Sequence, residues 1–126
     1  MPIERSARPR APLRWPYLLL AAAVVLQLFY LGAQPVAAGL IPAPWDKLAH
    51  LAVYSLITLL LWIGTAGRMP LMIIATVVVI GALDELHQAH LPGRVADTLD
   101  FLVDACAAIG TVGLILLYAR TTTRAR

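Results

Sequence analysis

PLMIIATVVVIGALDELHQAHLPGR, residues 70–94, decides how this chain is read. An apolar run from Pro70 to Leu83 leads straight into Asp84, Glu85, His87, Gln88 and His90, and then into the turn Pro92-Gly93-Arg94. A helix from Pro70 to His87 reaches the length of a membrane span. Carboxylates near the C-terminal end of such a helix oppose its dipole. Capping therefore does not explain Asp84 and Glu85, which call for cations, protons or a metal.

Outward from this stretch, the composition points the same way. The chain has 126 residues, 60% hydrophobic and 13% charged, with mean hydropathy +0.79. A soluble domain carries about 25% charged residues, so this balance argues for a membrane protein of a few spans. The net charge of +3 raises the question of nucleic acid. The arginines abut long apolar runs, however, and form no phosphate-binding face, so nucleic acid is excluded as a partner. The single Cys106 has no intramolecular disulfide partner.

Three further apolar segments flank the central one. The first runs from Leu13 to Ala33, with Trp15, Tyr17 and Tyr30 as interfacial anchors. Its basic start and the small residues Val36-Ala37-Ala38 also resemble a signal peptide; a retained helix is favoured because the run reaches spanning length. Gln34 to Pro44 reads as a loop, Asp46 opens a second segment to Ile63, and Gly64–Met69 connect to Pro70 at the first turn of the third. The fourth covers Thr98 to Ala119. The expected fold is all-α: an integral membrane four-helix bundle. A basic tail (residues 1–12) precedes the four-helix domain (13–119), and a second basic tail (120–126) follows it.

Four spans place both termini on one side. With the termini cytoplasmic, Arg5, Arg8, Arg10, Arg14, Arg68, Arg120, Arg124 and Arg126 lie inside, against Lys47 and Arg94 outside. That asymmetry sets the expected orientation. All three histidines and every acid except Glu4 then belong to the outer half.

Helical spacing gathers these groups. Asp46, His50 and Tyr54 share a face of the second helix; Asp84, His87 and Gln88 share one on the third; Asp97, Asp100 and Asp104 share one on the fourth. The residues between them, including Val53 and Phe101, can meet lipid. Asp104 lies roughly 10 Å inward from Asp97, where a carboxylate costs about 2.5–3.5 kcal/mol on insertion scales. Intramembrane ionisable groups default to a functional reading. Asp46 and Asp97 also suit plain helix capping, and a structural salt-bridge network built on Lys47 and Arg94 is the competing bland reading. A divalent metal is chemically possible, but no fixed metal-ligand spacing appears; cofactors stay unassigned. No Gly-rich phosphate loop is present, and Ser55 faces no obvious His–acid pair.

Asp46-Lys47-x-x-His50-x-x-x-Tyr54, Asp84-Glu85-x-x-Gln88, and Pro92-Gly93-Arg94 with Asp100 six residues on resemble the VanZ-like family, over roughly residues 45–110. The family usually has Asn four residues after the aspartate matching Asp100; here Asp104 stands there. The resemblance implies a small multi-pass protein of the bacterial inner membrane. The name-giving member is associated with low-level resistance to teicoplanin, a lipidated glycopeptide that targets cell-wall precursors.

The expected function is an outward cleft that binds or modifies an amphipathic, cell-envelope-related molecule, a lipid or cell-wall precursor, with the bilayer as the other partner. The candidate ligand-binding residues are Asp46, Lys47, His50, Tyr54, Asp84, Glu85, Gln88, Arg94, Asp100 and Asp104, with Lys47 and Arg94 on anionic head groups. An enzyme version makes Glu85 or Asp84 a general base and His50 or His87 an acid–base partner or metal ligand, with Arg94 stabilising an anion. A third reading is a proton- or ion-coupled transporter using Asp84 and Asp104, which with four helices would need a homo-oligomer.

Overall fold

A computed structural model describes residues 12–124. Among them, four α-helices and no strands appear: α1 (Trp15–Gly32), α2 (Trp45–Gly64), α3 (Pro70–Gln88) and α4 (Thr98–Arg124), with one 3-10 turn at Pro35–Ala37. Each helix is long and apolar enough to cross a membrane, the pattern of a multi-pass membrane protein. The expected N-terminal tail falls almost wholly outside the described residues. At the other end, α4 continues beyond the expected stop at Ala119 to Arg124. The hydroxyls of Thr121, Thr122 and Thr123 donate back to the Tyr118 and Ala119 carbonyls, and threonine at this spacing tolerates the helix while satisfying itself.

The largest interface is α2 with α4, followed by α3 with α4; α1 packs on α2 and touches α3 less. Tyr54, Ile57, Val77, Ala107 and Ala108 form the buried centre, from α2, α3 and α4. Leu19, Leu71, Leu114 and Tyr118 remain exposed, an arrangement that suits lipid and would be costly in water. Alanine and glycine on the inner face of α3 and α4 let the backbones approach, the usual device where lipid removes the hydrophobic drive for helix association.

Antiparallel neighbours bring one end of every helix together. The Arg14 N–H donates to the Gly64 carbonyl at 2.8 Å, joining the start of α1 to the end of α2. At the opposite end, Arg94 donates to the Gly32 carbonyl at 3.2 Å, joining the α3–α4 turn to the end of α1. The polar stripes of α2, α3 and α4 all lie at this second end.

Gly81 tests the close approach. A Cβ built there would sit 3.0 Å from Asp104 Oδ2 and 3.1 Å from Asp104 Cβ, whereas at Gly110 it would meet nothing within 4 Å. Overpacking costs about 1–3 kcal/mol, against about 1 kcal/mol that alanine gains over glycine in a helix. Gly81→Ala is therefore expected to lower the melting temperature in detergent, and Gly110→Ala to hold or raise it. Equal shifts for the two variants would remove the case for a tight α3–α4 contact at Gly81.

Candidate functional site

The polar end is built around a cleft of about 660 Å³. His50, Tyr54, Asp84, Gln88 and Asp100 form its polar floor; Asp46, Arg94 and Asp97 stand at its sides. The cleft also has an apolar wall: Leu28, Leu31 and Gly32 from α1, and Ala37, Gly39, Leu40 and Ile41 from the connection to α2. Sequence reasoning placed the polar groups but missed this wall. The signal was the apolar run Val36–Ile41, too greasy for a solvated loop. Val53, expected to meet lipid, also lines the cleft.

Lys47 sits at the start of α2 and Asp97 at the N-cap of α4. The Lys47 ammonium lies 2.7 Å from Asp97 Oδ2, 2.7 Å from Asp100 Oδ1 and 3.4 Å from Asp46 Oδ2. Lys47 was expected on an anionic head group; three carboxylates hold it instead, and it does not line the cleft. This trio forms the salt-bridge network of the bland reading, centred on Lys47 alone and without Arg94. Asp97 also caps α4, its Oδ1 accepting the Leu99 N–H at 2.8 Å. Asp46 accepts the Lys47 N–H at 2.9 Å.

Deeper in, His50 Nδ1 lies 3.0 Å from Asp104 Oδ1, and the imidazole stacks on Tyr54 with ring centroids 5.9 Å apart and planes 5° from parallel. Asp104 is completely buried behind the histidine. Asp84, 1% exposed, is satisfied by neutral donors rather than by a cation: Gln88 Nε2 at 3.1 Å and the Tyr54 hydroxyl at 3.3 Å, both on Oδ2. Adjacent helical residues point about 100° apart, so Glu85 serves another neighbour. Its Oε2 accepts the Asp97 N–H at 2.7 Å, while Oε1 is buried with no hydrogen-bond partner. Glu85 lies outside the main cleft and faces a smaller hollow beside Ala96, Thr98 and Phe101.

His87 does not share the cleft with Asp84 and Gln88. Its ring packs on Phe29 of α1, centroids 5.3 Å apart, so of the two histidines considered for acid–base work only His50 reaches the floor. His90 is exposed and bonds the Leu86 carbonyl at 2.7 Å.

Arg94 reaches the cleft through a β-turn. Its N–H donates to the Leu91 carbonyl at 3.2 Å across Pro92-Gly93, and Gly93 takes φ +77°, a value glycine adopts without penalty. Among the described residues, Arg94 has no carboxylate within ion-pair distance; its protein contact is the Gly32 carbonyl. Lys47 and Arg94 therefore differ sharply: one cation is saturated and the other is available.

No family model, curated protein or solved structure matches the chain. What the site can do follows from its own geometry. It combines an apolar wall, a polar floor with one oriented imidazole, and an unpaired guanidinium at the side.

The Lys47 ammonium, helped by the Leu99 N–H, holds the Asp97 carboxyl below the usual carboxylate range. A depressed carboxylate stabilises the fold fully above its ordinary pKa, and that contribution is lost as pH falls through the lowered value. Asn caps helices as well as Asp, so Asp97→Asn removes the charge and keeps the cap. The variant is expected to melt below wild type at pH 7, with the two curves converging as the solution is acidified below pH ~4. A gap that persists unchanged at low pH would mean that the ion pair is not its source.

Proposed function

We propose that this chain is a VanZ-like protein of the bacterial inner membrane, with both termini cytoplasmic and the cleft opening at the outer face. There the cleft binds the anionic head group of an amphipathic cell-envelope molecule. The observation that carries this reading is Arg94: a guanidinium on the cleft side with no carboxylate partner among the described residues, in a cleft also lined by Leu28, Leu31, Leu40 and Ile41. Guanidinium pairs bidentately with phosphate or carboxylate, and the apolar wall suits the attached chain. The eight-to-two distribution of basic residues supports the orientation, and the motif resemblance supports the envelope setting.

A second reading makes the same cleft catalytic. The His50–Asp104 pair favours it, because a carboxylate behind an imidazole fixes its tautomer and orientation for proton transfer. Asp84 and Glu85, the other candidate bases, are bonded elsewhere: Asp84 to Tyr54 and Gln88, and Glu85 to the Asp97 N–H. Envelope lipids compared by mass spectrometry in cells producing matched levels of wild type and Asp104→Asn separate the two readings. A lipid species changed by wild type alone favours the enzyme; identical profiles favour binding.

For the binding reading, the full-length protein in nanodiscs would be offered phosphatidylglycerol, a polyprenyl phosphate and the zwitterionic phosphatidylethanolamine. Retention of bound lipid would be read by native mass spectrometry. A charge-assisted contact is worth about 1.5–3 kcal/mol, so Arg94→Ala is expected to weaken the anionic lipids roughly ten- to hundredfold, and phosphatidylethanolamine, whose own ammonium offsets its phosphate, by less. Equal retention of all three lipids by both proteins would overturn it. Teicoplanin susceptibility of producing cells, wild type against Arg94→Ala, tests whether the same residue matters for the phenotype associated with the family's name-giving member.

A further inference from the structure

His50, Glu85 and Asp100 come from three different helices, and one ligand atom from each lies within 4.8 Å of the other two. The three share a second property. In each, one polar atom is tied by the protein and the other is left over. His50 uses Nδ1 for Asp104, leaving Nε2. Asp100 uses Oδ1 for the Lys47 ammonium, leaving Oδ2. Glu85 uses Oε2 for the Asp97 N–H, leaving Oε1 buried and without a partner.

A buried carboxylate oxygen with no donor is destabilising in a protein interior. It needs a proton or a cation, and the two nearby protein cations do not supply one. Lys47 already serves three aspartates, and Arg94 bonds Gly32 instead. Six carboxylates (Asp46, Asp84, Glu85, Asp97, Asp100 and Asp104) thus share one lysine and one imidazole at this end of the bundle.

We propose that His50, Glu85 and Asp100 bind a divalent first-row transition ion such as zinc, with Asp104 as the positioning residue behind His50. An imidazole whose far nitrogen bonds a buried carboxylate is the usual outer-shell arrangement of a metal-binding histidine. One nitrogen and two carboxylate oxygens form a three-ligand set that leaves at least one coordination position open. His50 and Asp100 both line the cleft, so that position opens onto it, where water or an anionic group can enter. Metal binding goes beyond the lipid-binding reading and does not depend on it.

The test uses the full-length protein in detergent, stripped with chelator and titrated with Zn²⁺, Mn²⁺ and Mg²⁺. Bound metal would be measured by mass spectrometry and folding checked by circular dichroism. Wild type is expected to take up about one Zn²⁺ per chain in preference to Mg²⁺. His50→Ala and Glu85→Gln should lose it, and Asp104→Asn should weaken it about 10–100-fold. His90→Gln, on an exposed side chain outside the cluster, should bind like wild type. Failure of folded wild type to bind saturably, or undiminished binding by folded His50→Ala and Glu85→Gln, would overturn the site. Should those variants not fold, X-ray absorption of Co²⁺-loaded wild type decides. A first shell with an imidazole nitrogen supports the assignment, and an all-oxygen shell rejects it.

Discussion

The pairing of Lys47 with Asp97 and Asp100 is the constraint on which the polar end depends. It joins the first turn of α2 to the start of α4, across 50 and 53 residues of sequence. Asp97 passes the connection on: its side chain caps α4 and its N–H holds Glu85 of α3. Three helices are therefore fixed to one another by a single relay of short contacts. Arg94 brings in α1 by bonding the Gly32 carbonyl. In lipid, apolar surfaces gain little by meeting each other, so polar relays of this kind and close approaches such as that at Gly81 carry much of the specificity of packing.

Within that frame, carboxylates that look alike in sequence have different environments. Asp46, Asp97 and Asp100 share a lysine; Asp104 has an imidazole; Asp84 has a phenol and an amide; Glu85 has a backbone N–H. Asp84 and Asp104 are both deep, yet they share no hydrogen bond, and Tyr54 and His50 stand as their separate partners. A salt-bridge network accounts for three of the six acids and leaves the other three to be explained. This division is what turns a cluster of like charge into distinct groups with distinct capacities.

Much of this was legible in the sequence. The four spans, their loops and the convergence of the Asp46–His50–Tyr54, Asp84–Gln88 and Asp97–Asp100–Asp104 faces follow from helical spacing and apolar run length. What periodicity could not show was which partner each group takes. His87 has the spacing to join Asp84, but rotation about its helix and the ring of Phe29 place it toward α1. Lys47 could be read in sequence as either a salt-bridge partner or a head-group contact, because two of its three partners, Asp97 and Asp100, lie some 50 residues away. The apolar wall was hidden for a different reason: Pro35, Pro42 and Pro44 mark a loop, and loops are expected to be solvated, whereas Leu40 and Ile41 fold over the cleft. The end of α4 was misjudged because arginines at an apparent membrane boundary read as a tail, though arginine propagates a helix readily.

His50 links the buried Asp104 to the open cleft. Its ring is held from two sides: Asp104 on Nδ1 and Tyr54 stacked against its face. A side chain held this firmly has little rotamer freedom left to lose on meeting a ligand, the condition for an accurate site. An ionised Asp104 buried against a neutral imidazole carries a desolvation cost that the pairing does not return. That cost is offset if the imidazole carries positive charge or faces a cation through Nε2. In either case positive charge stands at the cleft floor, in the same 660 Å³ space that Arg94 borders. The position of this one ring, rather than the number of acids around it, makes the polar end more than a solvated rim.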